Sequence, residues 1–205
     1  MLKFLLRTVM LAALAIPAVH AADEAPDVTI KNLTSEVIDI VKTDKAIQAG
    51  DQKRIQEVIE TKVLKHFDFN KMTGSAVGRN WNSATPDQKA QLAREFQTLL
   101  VRSYSNALTQ YKNQTIDVKP LKSAAGETDV TVKTEIKQPG TKPVPIDYDL
   151  IKQADGWKIY DVYVAGVSLV ANYRDSFGQE IKANGIDGLI KSLHDKNTAK
   201  LAEKK

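Results

Sequence analysis

The 205-residue sequence predicts an α+β domain in which helices pack on one face of a curved, four-stranded antiparallel sheet. Two observations support this prediction. Apolar residues recur at helical spacing from residue 30 to residue 108 and again after Gly166, whereas between Ile116 and Val164 apolar and polar residues alternate. Alternation of this kind indicates strands with one solvated face, as antiparallel sheets often have.

The N-terminus has the layout of a cleavable secretory leader. Lys3 and Arg7 precede an uncharged apolar run that is shorter than the ~20 residues of a membrane-spanning helix. We therefore expect residues 1–21 to be removed. The remainder is predicted to form one domain over residues 22–195 and a charged, flexible tail over residues 196–205.

The composition excludes several classes of protein. The sequence contains no cysteine, so it has no disulfide, no lipid-modified cysteine and no thiol nucleophile. Without Lys3 and Arg7 the formal net charge falls from +4 to about +2. Such a weak bias does not predict nucleic-acid binding, for which a concentrated basic stripe is typical. The sequence predicts a soluble, unanchored protein with a core of its own.

Helical signals open the domain. Ile30, Leu33 and Val37 keep helical spacing, and Ala49-Gly50-Asp51 ends this stretch and caps the next helix. The clearest local signal is Thr85-Pro86-Asp87-Gln88, a capping box with proline at the first helical position. The helix that starts there carries an apolar stripe of Leu92, Phe96, Leu99, Leu100, Tyr104 and Leu108.

Alternating patterns predict four strands, at residues 116–118, 130–136, 146–150 and 157–164. Pro139-Gly140 and Ala154-Asp155-Gly156 mark the turns between the last three strands. The last strand is apolar on both faces, which predicts a central place in the sheet.

After this strand the sequence returns to helical spacing. Ser168 is predicted to cap a helix that stops at Asn184-Gly185, and a short last helix follows. Leu169, Tyr173 and Phe177 recur every fourth residue and form one apolar ridge. This pattern leaves two interpretations open, because a ridge that seals a core and a ridge that lines an apolar ligand pocket use the same residues.

The sequence offers few groups for catalysis. It has no HExxH zinc motif, no GxSxG nucleophile elbow and no phosphate-binding glycine loop, and we predict neither a cofactor nor a metal. Asp161 interrupts an otherwise apolar strand. It could be a general base with a raised pKa, as in ketosteroid isomerase, or a strand carboxylate that accepts a hydrogen bond from a neighbouring loop or helix end.

Five longer motifs follow one another along the chain: FDFNKM from Phe67, GRNWNSATPDQ from Gly78, FQTLLVRSY from Phe96, GWKIYDV from Gly156 and GVSLVANYRDSF from Gly166. Together they resemble the toluene-tolerance family of periplasmic phospholipid-binding proteins. The resemblance implies a fold partly similar to nuclear-transport-factor-like domains, with a deep apolar pocket for acyl chains.

The resemblance also implies a function. Such a protein is a periplasmic carrier, not an enzyme, and it shuttles one diacyl phospholipid between two membrane complexes. One is an outer-membrane complex of a lipoprotein and a porin, and the other is an inner-membrane ABC transporter with MCE domains. This traffic maintains the lipid asymmetry of the outer membrane.

Candidate pocket residues follow from the faces of the predicted elements. The sheet contributes Val130, Val132, Ile146, Tyr148, Leu150, Val162 and Val164, and the helices contribute Leu99, Leu100, Tyr104, Leu169, Tyr173 and Phe177. Some of these residues are expected to be ordinary core. Arg79 and Arg174 are candidates for a rim that binds the head-group phosphate, or for structural ion pairs.

Two other functions stay open. An enzyme on a related cone-shaped fold would use Asp161 as a general base on a small apolar substrate. A protein-only adaptor would dock on envelope partners through its surface and would have a filled core without a ligand.

Overall fold

The computed structural model describes residues 24–109, 113–121 and 126–202, and the predicted leader lies outside these ranges. The described residues form seven α-helices and one five-stranded antiparallel sheet. The predicted α+β class is therefore confirmed. Within the same ranges, no helix has the length and apolar character needed to cross a membrane.

Three helices open the described chain: α1 (Pro26–Thr43), α2 (Lys45–Gln48) and α3 (Gln52–Val58). The predicted cap at Asp51 is confirmed, because its carboxylate accepts hydrogen bonds of 2.9 and 3.1 Å from the first N–H groups of α3. Asp44 caps α2 in the same way. These caps let the chain turn twice within a few residues and fold α3 back toward α1.

Two irregular helical turns follow α3, and the sequence did not predict them. A π-helical turn (Ile59–Val63) continues α3 directly, and a 3₁₀ turn (Leu64–His66) follows. Such irregular turns inside helices frequently occur at functional sites.

The next helices are α4 (Phe69–Val77), α5 (Pro86–Tyr104) and α6 (Asn106–Thr109), with a 3₁₀ segment (Gly78–Ser83) between α4 and α5. The predicted capping box is present at the start of α5. The backbone N–H of the glutamine donates to the threonine hydroxyl at 3.2 Å, and the threonine N–H donates to the glutamine side chain at 3.0 Å.

The sheet is a meander in chain order, and each pair of neighbouring strands is antiparallel. Its strands are β1 (Thr115–Val118), β2 (Asp129–Lys137), β3 (Val144–Gln153), β4 (Gly156–Val164) and β5 (Val167–Ser168). The first four correspond to the predicted strands. The fifth has two residues, which is too short to show alternation in the sequence.

The predicted central position of β4 is wrong, because β4 lies next to the short edge strand β5. The remaining edge of β4 is covered by the segment before α4, where Phe67 bridges to Ile159 and the Asp68 N–H donates to the Ile159 carbonyl at 2.8 Å. Both edges of β4 are therefore paired although the strand is not central.

A β-bulge bends β4 against β3. Asp149 pairs with Asp161, but the next residue of β3, Leu150, pairs with Ile159, so that Tyr160 is left over. Because of this extra residue, Ile159 and Val162 both pack into the same core cluster.

The last helix, α7 (Leu169–Ala202), contains a kink where the sequence predicted a stop. Gly185 has a φ of 73°, which glycine adopts without strain, and the chain bends there and continues as a helix. The helix extends to Ala202, past the predicted start of the tail at residue 196. Asn197 is buried and donates to the Glu95 side chain at 2.7 Å. The flexibility of residues 196–205 stays a prediction.

The buried apolar residues form three clusters. The helical cluster joins α4, α5 and α7 through Met72, Ala76, Val77, Leu92, Phe96, Leu100, Val170, Phe177, Leu189 and Leu193. The sheet cluster joins α1 to the sheet through Ile30, Leu33, Val130, Val132, Leu150, Trp157, Ile159 and Val162. The N-terminal cluster comprises Val41, Ile47, Ile55, Val58 and Ile59.

Candidate functional site

An apolar cavity of about 310 Å³ lies where the three clusters meet. α1 and the sheet form one wall, the π-helical and 3₁₀ turns form a second, and α4 to α6 form a third. The lining residues are Leu33, Thr34, Val37, Ile59, Val63, Leu64, Phe67, Phe69, Met72, Leu100, Val101, Tyr104, Ser105, Leu108, Ile116, Tyr148, Val162 and Leu169. Each cluster packs well internally, and the space between them remains open.

The described part of the lining contains no Asp, Glu, Lys, Arg or His side chain. Its polar side chains are those of Thr34, Tyr104, Ser105 and Tyr148. The Thr34 hydroxyl donates to the Ile30 carbonyl of its own helix at 2.7 Å, so this polar group is already bonded. A lining of this kind can bury hydrocarbon, and it provides no charged group for acid–base chemistry.

Of the sheet residues that line the described cavity, Tyr148 is the one with a polar side chain. It stands between Val132 and Val162 in neighbouring strands, both of which are buried. Burial raises the pKa of Tyr148 to about 12 because the phenolate would lose its hydration. The hydroxyl therefore stays protonated near neutral pH and can donate a hydrogen bond.

Five of the thirteen predicted lipid-binding residues line the cavity: Leu100, Tyr104, Tyr148, Val162 and Leu169. They come from α5, β3, β4 and the start of α7, which are distant in sequence. Their contact with a lipid stays a prediction, but the structure brings them to one space.

The other eight predicted residues lie elsewhere. Val130, Val132 and Leu150 are closely packed in the sheet cluster, Ile146 packs beside them, and Val164 is exposed. Leu99, Tyr173 and Phe177 belong to the helical cluster. There the Phe96 ring meets Tyr173 and Phe177 edge-on, with centroids 5.1 and 5.3 Å apart. The apolar ridge of α7 therefore has two parts: Leu169 lines the cavity, and Tyr173 and Phe177 pack in the helical cluster.

Arg79 and Arg174 are brought together, but not at the cavity. Both line a separate surface groove of about 720 Å³ beside Lys71 and Trp81. The Arg174 side chain donates to the Ser75 carbonyl at 3.2 Å, which holds it against α4. A role of either arginine toward a head group stays a prediction, and no residue of this groove lines the apolar cavity.

Sequence reasoning missed thirteen lining residues, for different reasons. The α1 stripe, with Leu33 and Val37, was visible as a helical face, but nothing local showed that α1 covers the sheet. Val63 and Leu64 turn inward through irregular helical turns that have no sequence signal of their own. The rest of the missed set is Thr34, Ile59, Phe67, Phe69, Met72, Val101, Ser105, Leu108 and Ile116.

Asp161 does not line the cavity, and its carboxylate is occupied by structural bonds. One oxygen accepts from the Val162 N–H at 2.7 Å and from the Val170 N–H at 3.2 Å. The other accepts from the Ser168 hydroxyl at 2.5 Å. The prediction of a strand carboxylate bonded to a neighbouring loop and helix end is confirmed, and this geometry disfavours a general base.

The chain is similar in sequence to two characterised bacterial proteins. The toluene tolerance protein ttg2D of Pseudomonas putida is 24% identical over 188 residues, which cover 91% of this chain and 87% of that protein. The intermembrane phospholipid transport system binding protein MlaC of Haemophilus influenzae is 21% identical over 193 residues, covering 93% and 90%.

A solved structure is also similar in fold and in sequence. It is a phospholipid-binding protein from Ralstonia solanacearum in complex with a phospholipid, and it superposes with a TM-score of 0.80 at 34% identity. The match covers 87% of this chain and 99% of that one. Residues 31–195 match the MlaC protein family. The resemblance inferred from the five sequence motifs is thus confirmed, and the chain belongs to the MlaC family.

Proposed function

We propose that this protein is a periplasmic carrier that binds a diacyl phospholipid with its acyl chains in the apolar cavity. The observation that carries the proposal is the cavity itself, an open space at the junction of three core clusters whose described lining has no charged side chain. The phospholipid in the related Ralstonia protein supports the same ligand class.

The energetics of lipid transfer explain why a carrier needs such a space. Each methylene group removed from water contributes about 0.8 kcal/mol, so a two-chain lipid does not cross an aqueous compartment unaided. A protein that buries the chains removes most of this barrier, while the charged head group can stay in water. The carrier therefore needs no catalytic step.

The size of the cavity implies that its walls move when lipid enters. About 310 Å³ is at the lower end of the range of about 300 to 1,000 Å³ for pockets that hold drug-sized molecules. Two acyl chains need more room. We infer that the π-helical turn shifts away from the sheet on loading, because it belongs to the N-terminal cluster, which meets the sheet cluster through partly buried residues such as Val37.

The cellular part of the proposal rests on the sequence and on the relatives. The predicted leader directs the chain to the periplasm, and the relatives include a binding protein of an intermembrane phospholipid transport system. We propose that this protein exchanges lipid with an inner-membrane ABC transporter that carries MCE domains. Its other proposed partner is an outer-membrane complex of a lipoprotein and a porin, and the exchange maintains outer-membrane lipid asymmetry.

The proposal is tested on protein secreted by a Gram-negative host with its own leader. Native mass spectrometry of the purified protein, followed by solvent extraction of the same sample, identifies any bound molecule. The carrier function predicts a bound mass that extracts as diacyl phospholipid. Protein that is folded and free of lipid, and that takes up none from phospholipid vesicles, would instead support the adaptor.

A further inference from the structure

The hydroxyl of Tyr148 is a hydrogen-bond donor without a partner among the described residues. The other polar groups of the cavity differ from it. The Thr34 hydroxyl donates to the Ile30 carbonyl of its own helix α1. The Ser105 hydroxyl oxygen lies 3.5 Å from the carbonyl oxygen of Arg102, three residues earlier in the chain. Tyr104 is 42% exposed and can bond to bulk water. Tyr148 is half-buried, stands between buried valines of the neighbouring strands and lines the cavity.

A donor in this position requires a partner. Buried hydroxyl groups in native proteins are nearly always hydrogen-bonded, because an unpaired one loses its bond to water and gains nothing in return. The strand neighbours that pair with Tyr148 on this face are apolar, and the lining hydroxyls of Thr34, Tyr104 and Ser105 make no hydrogen bond to it among the described residues. The missing acceptor therefore has to come from whatever fills the cavity.

The chemistry of the site limits the acceptor to a neutral group. Burial holds the pKa of Tyr148 at about 12, so it is a neutral donor at the pH of any cell compartment. A carboxylate or phosphate next to it would be an uncompensated charge, since no cationic side chain lines the described cavity. In a diacyl phospholipid the neutral acceptors that enter an apolar pocket with the chains are the two ester carbonyl oxygens.

We propose that Tyr148 donates a hydrogen bond to an ester carbonyl of the bound phospholipid and thereby selects ester-linked over ether-linked lipids. This inference rests on the proposed carrier function and adds a specificity to it. The bond also fixes how deep the lipid sits, because the ester group marks the start of the acyl chains. An ether lipid lacks the projecting carbonyl oxygen, and its ether oxygen lies in line with the chain, so it would leave the hydroxyl unpaired.

The test is a competition between two lipids that differ in this group alone. Delipidated protein is incubated with mixed vesicles of a diester phosphatidylglycerol and its diether analogue of equal chain length, and the bound ratio is measured by native mass spectrometry. Wild-type protein should prefer the diester by about two- to tenfold, the factor that one neutral hydrogen bond gives. In Tyr148→Phe this preference should fall to about one.

Tyr163→Phe is the matched control, because Tyr163 lies in β4 and does not line the cavity. It should keep the wild-type ratio. An isotope-edited infrared spectrum of bound lipid with labelled ester carbonyls gives a second readout. The carbonyl band should lie at lower frequency in the wild type than in Tyr148→Phe, which a purely structural tyrosine would not cause.

The outcomes separate this inference from the carrier function. Equal loading of both lipids by the wild type, or a preference that survives in folded Tyr148→Phe, would overturn the inference and leave the carrier proposal intact. Loading of neither lipid would overturn both. Thermal unfolding of each variant checks that it is folded, and the near-isosteric exchange of Tyr for Phe makes a packing defect small.

Discussion

The Ser168 hydroxyl donates a 2.5 Å hydrogen bond to the Asp161 carboxylate and also accepts one of 2.9 Å from the Ala171 N–H. Ser168 thus caps α7 while it is tied to β4. Asp161 adds a bond to the Val170 N–H at the same helix terminus. This cluster sets the direction in which α7 leaves the sheet, and the direction places Leu169 at the cavity.

Replacing Asp161 should therefore lower stability. Asp161→Ala removes three hydrogen bonds to a buried carboxylate, and we expect the free energy of unfolding to fall by about 2 to 4 kcal/mol, as measured by chemical denaturation. Asp147→Ala on the same sheet is the control, with an expected change within about 0.5 kcal/mol. A stable Asp161→Ala that had lost an enzymatic turnover would instead support the general-base function.

Filling the cavity should block lipid loading without unfolding the protein. Leu169→Trp adds bulk directly to the lining, and we expect most of the co-purified lipid to be lost. Its Tm should change by less than about 4 °C, because the added ring occupies space that is open. Val167→Trp, two residues earlier and 60% exposed, should keep wild-type lipid content. Full lipid content in folded Leu169→Trp would place the lipid elsewhere.

Acidification should weaken the fold through His66. Burial, then the charges of Lys65 and Lys158, lower the pKa of His66, while Glu36 opposes this shift. The unfolded chain has the ordinary pKa of about 6.5, so the unfolded state binds the proton more readily. The stability tied to neutral His66 is complete above about pH 6.5 and is lost as the pH falls through the folded pKa.

Chemical denaturation at pH 7.5 and at pH 5 measures this effect. The wild type should lose more stability between the two pH values than His66→Gln, which carries no titrating group at this position. Equal losses in the two proteins would show that the 3₁₀ turn does not depend on the charge of His66.

Local signals predicted the fold well because they depend on neighbouring residues. The capping box at Thr85, the Asp51 cap and the Ser168 cap each lie within one helical turn, and alternation located four strands. The cavity was predicted less completely, because alternation gives the face of a strand and not what covers it. Val132 illustrates the difference: it shares a face with Tyr148, but it is fully buried, so a bulky substitution there would disrupt the core instead of blocking lipid.

Thiol protection measures whether acyl chains occupy this cavity, since the chain has no cysteine. Ser105→Cys puts one thiol in the lining with almost no change in shape, and Ser176→Cys puts one on the surface. With lipid bound, Ser105→Cys should react with a maleimide much more slowly than after delipidation, while Ser176→Cys should react equally in both states. Equal rates for Ser105→Cys with and without lipid would show that the acyl chains do not occupy this cavity.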